Sequence, residues 1–212
     1  MAKVKPRRYE SEGRRARAEQ TRQRILAAAR KLFETRGYGD TTIEAIARSA
    51  HVAAPTVYAV FGAKRAILFA FLDDLAARAD PHRLHEAIAA AAGDPRRQLR
   101  AQLAFNTRFY AAGIGLIEIA RTVSGAEPDL MEMWREGETR RHRAEASVVR
   151  QWARAGALAP GLTARAATDL LWAFSGPDMF RLLVVEQGWA LRHFEERLAA
   201  LLEQSLFRAA PA

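Results

Sequence analysis

The chain has 212 residues, 33 Lys+Arg against 24 Asp+Glu, a formal net charge of +9 and no cysteine. That length buries a core without covalent staples, and the missing cysteine excludes a disulfide scaffold, thiolate zinc sites and cysteine nucleophiles. No run approaches the roughly 20 apolar residues of a spanning helix, and no signal-peptide core follows the basic start, so a soluble, cytoplasmic protein is expected. The charge is not spread evenly. Residues 1–70 hold 15 Lys+Arg and 6 Asp+Glu, which is the whole excess; the remaining 18 and 18 cancel. A basic head on a neutral body points to nucleic acid as a partner of the head.

In chain order, residues 1–13 read as a basic arm. Lys3, Lys5, Arg7 and Arg8 surround Pro6, and Gly13 is expected to break any helix. From Arg14 the pattern is helical, with Thr21, Ile25, Ala28, Ala29, Leu32 and Phe33 on one face. Gly37 and Gly39 end it. Thr41-Thr42-Ile43-Glu44 reads as a capping box in which the Thr41 hydroxyl caps the next helix. Residues 63–79 form a helix with Ile67, Leu68, Phe71, Leu72 and Leu75 on one face, stopped by Asp80-Pro81. Further helices are expected over about 82–92, 95–112, 114–123, 128–155, 163–187 and 190–207, separated by Gly and Pro signals. No alternation of period two and no solenoid repeat is present. The expected fold is all-α.

Residues 43–62 carry the main signal. Two short helices crossing at a steep angle need a small residue at the crossing and apolar residues around it. Ala47 supplies the first; Ile46, Val52, Val57 and Val60 supply the second. Pro55 suits the opening turn of the second helix. Ala54, Thr56, Tyr58 and Ala59 are then left facing outward.

The string from Thr41 to Leu68, TTIEAIARSAHVAAPTVYAVFGAKRAIL, resembles the DNA-binding motif of the TetR family of transcriptional regulators. The resemblance rests on the Thr pair, Ile46-Ala47, Val52, Thr56-Val57-Tyr58, Phe61, and Lys64 followed by Ile67-Leu68. It extends, with the preceding helix, over about residues 14–72. It departs from the family pattern at His51, where Gly is usual in the turn, at Ala53, where Ser is common, and at Ala59, where His is common. The resemblance implies a helix-turn-helix domain over 14–62 and a larger helical domain over 63–212 that binds an effector and dimerises.

Bidentate reading of bases needs Arg, Lys, Asn or Gln, and residues 53–60 contain none. The expected DNA contacts are therefore methyl contacts from Ala54, Thr56 and Ala59, phosphate contacts from Thr42, Tyr58 and Lys64, and minor-groove or phosphate contacts from Arg14, Arg15 and Arg17, with Thr41, Ala53 and Pro55 as further DNA-binding candidates. Arg7 and Arg8 of the arm are further candidates.

The resemblance also implies that the last two helices of two subunits form a four-helix bundle. Leu170, Phe174, Leu191, Phe194, Leu198, Leu201 and Leu202 are the expected interface residues. An effector cavity is implied in the middle of the chain. Its expected lining is Leu103, Asn106, Phe109, Tyr110, Met131, Trp134, Glu138, His142 and Trp172, with Asn106, Glu138 and His142 as fixed polar groups. The function implied is that of a dimeric repressor that leaves a palindromic operator when a small molecule binds. A ligand-independent or activating regulator is the alternative.

An enzyme is disfavoured. His82-x-x-His85 has no third ligand nearby in sequence, no nucleophile motif is present, and no Gly-rich phosphate loop appears. No cofactor and no membrane partner are expected. DNA packaging would fit the basic head but leaves a neutral body of about 140 residues unexplained.

Overall fold

A computed structural model describes residues 7–124 and 128–208. Lys3, Lys5 and Pro6 lie outside the described residues. The described residues form helices α1 (Arg7–Arg36), α2 (Ile43–Ala50), α3 (Ala54–Phe61), α4 (Lys64–Arg78), α5 (Pro81–Ala90), α6 (Pro95–Ser124), α7 (Pro128–Arg154), α8 (Ala164–Phe174), α9 (Pro177–Phe180) and α10 (Leu191–Leu206), with a π-helical turn at Arg181–Glu186 between the last two. The fold is all-α, as the periodicity predicts. Contacts divide the chain into two compact units, residues 1–72 and 73–212.

In the first unit, α1 packs on α2 and α2 on α3. The core is apolar: Ile25, Ala29, Phe33, Ile46, Val57, Ile67 and Leu68 are almost fully buried. Phe33 stacks against Tyr38 and Phe71 at centroid distances of 5.1 and 6.2 Å. Two expectations are corrected here. The helix starts at Arg7 and runs through Gly13, so residues 7–13 are helix and not arm; one glycine weakens a helix by only about 1 kcal/mol, too little to break one 30 residues long. Val60 is exposed rather than inward, because on an eight-residue helix packed along one edge only Val57 reaches the core.

The second unit is built around α6, against which α5, α7, α9 and α10 pack, while α7 also packs on α8. The two helices expected over 95–112 and 114–123 are one helix kinked at Gly113, whose φ of −160° and ψ of 24° are non-helical. A β-carbon there would meet the Leu75 side chain at 2.2–2.9 Å, so glycine leaves the notch in which Leu75 sits. The helix expected over 163–187 is divided. It stops at Ser175, restarts on Pro177, and continues as the π turn. Proline at the first helical position lacks only an N–H that would be unpaired anyway. At the far end, Trp152 donates its indole N–H to Gln98 at 2.7 Å and stacks on Phe207 at 5.1 Å. No single helix among the described residues is long and apolar enough to cross a membrane.

Candidate functional site

The first candidate site is the turn between α2 and α3 and the outer face of α3. The Thr42 hydroxyl, not that of Thr41, caps α2 by accepting from the Ala45 N–H at 3.1 Å. Thr41 is fully buried and donates its hydroxyl to the Gly37 carbonyl at 2.7 Å, so it closes the turn after α1 and faces away from any phosphate. This corrects both its expected cap and its expected DNA contact.

The turn itself holds without glycine. His51 takes the left-handed conformation, φ 53° and ψ 48°. Val52 N–H then reaches the Ala47 carbonyl at 3.0 Å and His51 N–H the Arg48 carbonyl at 3.2 Å, the paired closure of a helix C-terminus. Arg24, from α1, donates to the carbonyls of Ala50 and His51 at 2.5 and 2.8 Å. Its charge sits at the negative end of the α2 dipole. Thus Arg24 holds the strained turn in place, a role that no local sequence pattern signals.

On α3, Ala53, Pro55, Tyr58 and Ala59 are exposed, and Ala54 and Thr56 half-buried. Tyr58 is 49% exposed, a large ring projecting into solvent beside a row of methyl groups. Arg14, Arg15 and Arg17 are exposed on α1. Arg22 lies over the Phe61 ring at 5.1 Å, which holds that guanidinium on the head. Lys64 is placed differently from expectation. Its ammonium donates to the carbonyls of Tyr38 and Thr41 at 2.8 and 2.9 Å and lies 4.2 Å from the Tyr38 ring centroid. It ties the start of α4 to the turn before α2.

The second candidate site lies among α6, α7, α8 and the break at Ser175-Gly176. Of the expected pocket residues, Leu103, Asn106 and Tyr110 are buried, and Phe109, Met131, Trp134, Glu138, His142 and Trp172 are half-buried. Asn106 donates to the Ser175 carbonyl at 3.3 Å and accepts from Gln102 at 3.0 Å. Tyr110 packs between Phe109 and Phe180 at 5.5 and 5.7 Å, and its burial pushes the hydroxyl far above its usual range. His142 meets Asp169 at 3.2 Å and the edge of Trp172 at 6.0 Å. Met131 lines an open cleft of about 810 Å³ along α7 together with Arg135, Thr139 and Arg143.

The centre of this cluster is a residue that sequence reading passed over. Arg141 forks onto Glu138 at 2.8 and 3.4 Å, reaches Glu145 at 3.3 Å, donates to the Trp172 carbonyl at 2.9 Å, and lies 5.0 Å over the Trp172 ring. Glu145 also accepts from the Ser175 hydroxyl at 3.0 Å. Burial pushes the Glu145 carboxyl up, against the opposing pull of Arg141 and Ser175. Burial pulls Arg141 down, but its bond to Glu138 and the fields of Tyr110 and Glu145 prevail, and its net shift is upward. In sequence, Arg140-Arg141-His142-Arg143 looks like one solvated charge run; only the helical phase and α8 separate Arg141 from its neighbours.

The expected dimer residues fall into two sets. Phe194, Leu198 and Leu202 are buried within the protomer, so they are core positions and not available to a partner. Leu191 and Leu201 are exposed, at 44% and 45%, and Leu170 and Phe174 are half-buried. Leu182 and Val185 of the π turn, at 42% and 56%, add to the exposed apolar surface. The histidine pair of α5 makes separate contacts, His82 with Glu86 and His85 with the Pro81 carbonyl. Among the described residues, no group of three or more His, Asp or Glu is placed to hold a metal.

Residues 25–71 match the family model for bacterial regulatory proteins of the TetR family. The head is a TetR-family helix-turn-helix domain. A 110-residue stretch of the chain is 26% identical to the transcriptional regulator EthR of Mycolicibacterium smegmatis, covering 52% of this chain and 50% of that protein. The chain thus spans half the length of this curated relative. NalD of Pseudomonas aeruginosa, described as the secondary repressor of a multidrug efflux pump, superposes with a TM-score of 0.71 at 25% identity, over 90% of this chain and 98% of NalD. A transcriptional regulator from Saccharomonospora viridis, solved in complex with choline, superposes with a TM-score of 0.71 at 20% identity, over 90% and 100% of the two chains. The chain therefore shares its overall helical fold with these two regulators; its α6 is kinked and its α8–α9 divided.

Proposed function

We propose that this protein is a dimeric, DNA-binding transcriptional repressor of the cytoplasm that leaves a palindromic operator when a small molecule binds its second unit. The observation that carries the reading is the TetR-family head with an outward row on α3 from Ala53 to Ala59. Because that row has no bidentate base-reading side chain, specificity comes from methyl and tyrosine contacts and from DNA shape. Arg14, Arg15 and Arg17 supply the counter-charge for phosphates. One head makes few contacts, and a two-fold dimer reads two half-sites. Leu170, Phe174, Leu182, Val185, Leu191 and Leu201 are the surface residues for that pairing. The choline complex of the Saccharomonospora viridis protein supports a small-molecule effector, and the repressor role of NalD supports repression. A regulator, not an enzyme, is the result.

The test is selection of DNA from a random pool followed by footprinting. A protected palindrome, bound by a species of twice the protomer mass in sedimentation, supports the reading. Uniform coating of DNA, or binding by a monomer, overturns it.

A further inference from the structure

The cluster around Arg141 is built as a cage for a cation. Two carboxylates, Glu138 and Glu145, converge on one guanidinium. The Trp172 ring forms one wall, and the guanidinium carbon lies 5.0 Å from it, within reach of a cation–π contact. The Trp172 carbonyl adds a third oxygen at 2.9 Å. Gly176 leaves the seat open: a β-carbon there would stand 3.4 Å from an Arg141 terminal nitrogen and 3.3 Å from that carbonyl.

The cage is not saturated by its own arginine. Glu145 is 1% exposed, and both its bonds, from Arg141 and Ser175, fall on one oxygen. Its other oxygen has no hydrogen-bond partner among the described residues, and neither has the buried Trp172 indole N–H. A buried acceptor left unpaired is costly, and a purely structural ion pair would cover it. The side-chain exposure of Arg141 is 18%; His142, which packs against Trp172, and its partner Asp169 are more exposed, at 43% and 57%. The guanidinium is thus mostly buried and bound to one Glu145 oxygen, while the other is still without a donor.

We infer that this cage is the effector subsite for an organic cation with N–H donors, an alkylguanidinium or a primary alkylammonium ion, and that Arg141 is its internal occupant, displaced when the ligand enters. The inference rests on the effector reading proposed above. The entering cation takes over Glu138 and the Trp172 face and gives the second Glu145 oxygen its donor, while Arg141 turns outward to solvent. Ser175 joins the cage to α6, through the bond from Asn106 to its carbonyl, so occupancy is felt on the kinked helix.

The experiment is calorimetric titration of the full-length protein with ethylguanidinium chloride at millimolar concentration, and with its neutral isostere N-ethylurea. Ethylguanidinium is expected to bind and N-ethylurea is not. Arg141→Ala removes the internal competitor and is expected to tighten ethylguanidinium binding by roughly tenfold or more, since affinity is reduced by the fraction of cages already filled. Glu145→Gln in the same background is expected to abolish the gain, and Glu138→Gln, at a more exposed position, to reduce it if the first variant does not fold. Equal binding of the two probes, or no gain in Arg141→Ala, overturns the inference. Release of selected operator DNA is followed separately. Release by a neutral compound with no ethylguanidinium binding keeps the effector reading and overturns the cage. Ethylguanidinium binding with the expected variant pattern, but without DNA release, keeps the cage as a cation site and removes it as the effector subsite.

Discussion

The two units place their polar chemistry in opposite ways. Among the described residues of the head, Thr41 is the buried polar side chain, and the rest of the core is aliphatic and aromatic. Its cations point outward or hold backbone carbonyls at helix ends. In the body, Gln98, Gln102, Asn106, Thr107, Glu145, Thr168 and Ser175 are all buried, and an arginine is drawn in with them. The head presents its candidate contacts on its surface. The body keeps its polar groups inside, where its stability and the ligand chemistry proposed for it involve the same side chains. Buried polar networks fix one arrangement when satisfied and are the weak points when they are not.

The sharpest way to break this contrast is in the body. Trp152→Ala removes a ring that is 1% exposed and leaves Gln98 without its donor. A loss of about 3–5 kcal/mol is expected, read by chemical denaturation. The tryptophans Trp134, Trp152, Trp172 and Trp189 all lie in the second unit, so indole fluorescence follows the body alone and far-UV dichroism follows both. In the head, Lys64→Ala leaves the Tyr38 and Thr41 carbonyls without their charged donor. About 1.5–3 kcal/mol is expected, visible by dichroism without a matching change in the fluorescence transition. If the head is as stable in Lys64→Ala as in the parent, the clamp has no weight.

Acidity separates the units in another way. Burial raises the Glu145 carboxyl above its ordinary value of 4.5, so the unfolded chain releases this proton first as pH rises. The folded state then holds more protons than the unfolded one, and its stability falls with pH from the ordinary glutamate range up to the raised value. Below that range the contribution is fully present. Glu145→Gln is expected to flatten this decline in the fluorescence-detected transition; an unchanged slope contradicts it. Thr42→Ala removes the α2 cap and is expected to lower head stability by about 1 kcal/mol. Tyr58→Ala is the smallest in stability, within about 0.5 kcal/mol because the ring is exposed. It is expected to weaken operator binding in an anisotropy titration, which sets surface function apart from fold.

The head was largely legible in the sequence because its signals are local. The apolar spacing of α1, the small Ala47 at the crossing and Pro55 at the start of α3 lie within a few residues of what they determine. The differences there are local: α1 begins at Arg7 rather than after Gly13, Val60 faces outward, and Thr42 caps α2. Thr41 and Thr42 are equally good caps by type, and which one caps depends on the turn from Gly37 that buries Thr41. The body was legible as helices but not as a site. Arg141 becomes central only when α8 brings the Trp172 carbonyl to it from 31 residues away, and Asn106 meets Ser175 across 69. A helical stripe puts Glu138 and His142 one turn apart on α7, but each meets different partners. Such a stripe does not distinguish an exposed leucine from one that fills the core, so Phe194, Leu198 and Leu202 share it with Leu191 and Leu201.

The clamps made by Arg24 and Lys64 have a consequence for how this protein feels salt. Both count toward the net charge of +9, yet their donors already engage the carbonyls of Ala50, His51, Tyr38 and Thr41. Each phosphate neutralised on duplex DNA releases about 0.9 of a counterion, and only cations free to leave the protein surface and approach the backbone contribute to that release. The head will therefore shed fewer ions on binding than its formal charge suggests, and its grip on the operator will weaken less steeply as ionic strength rises.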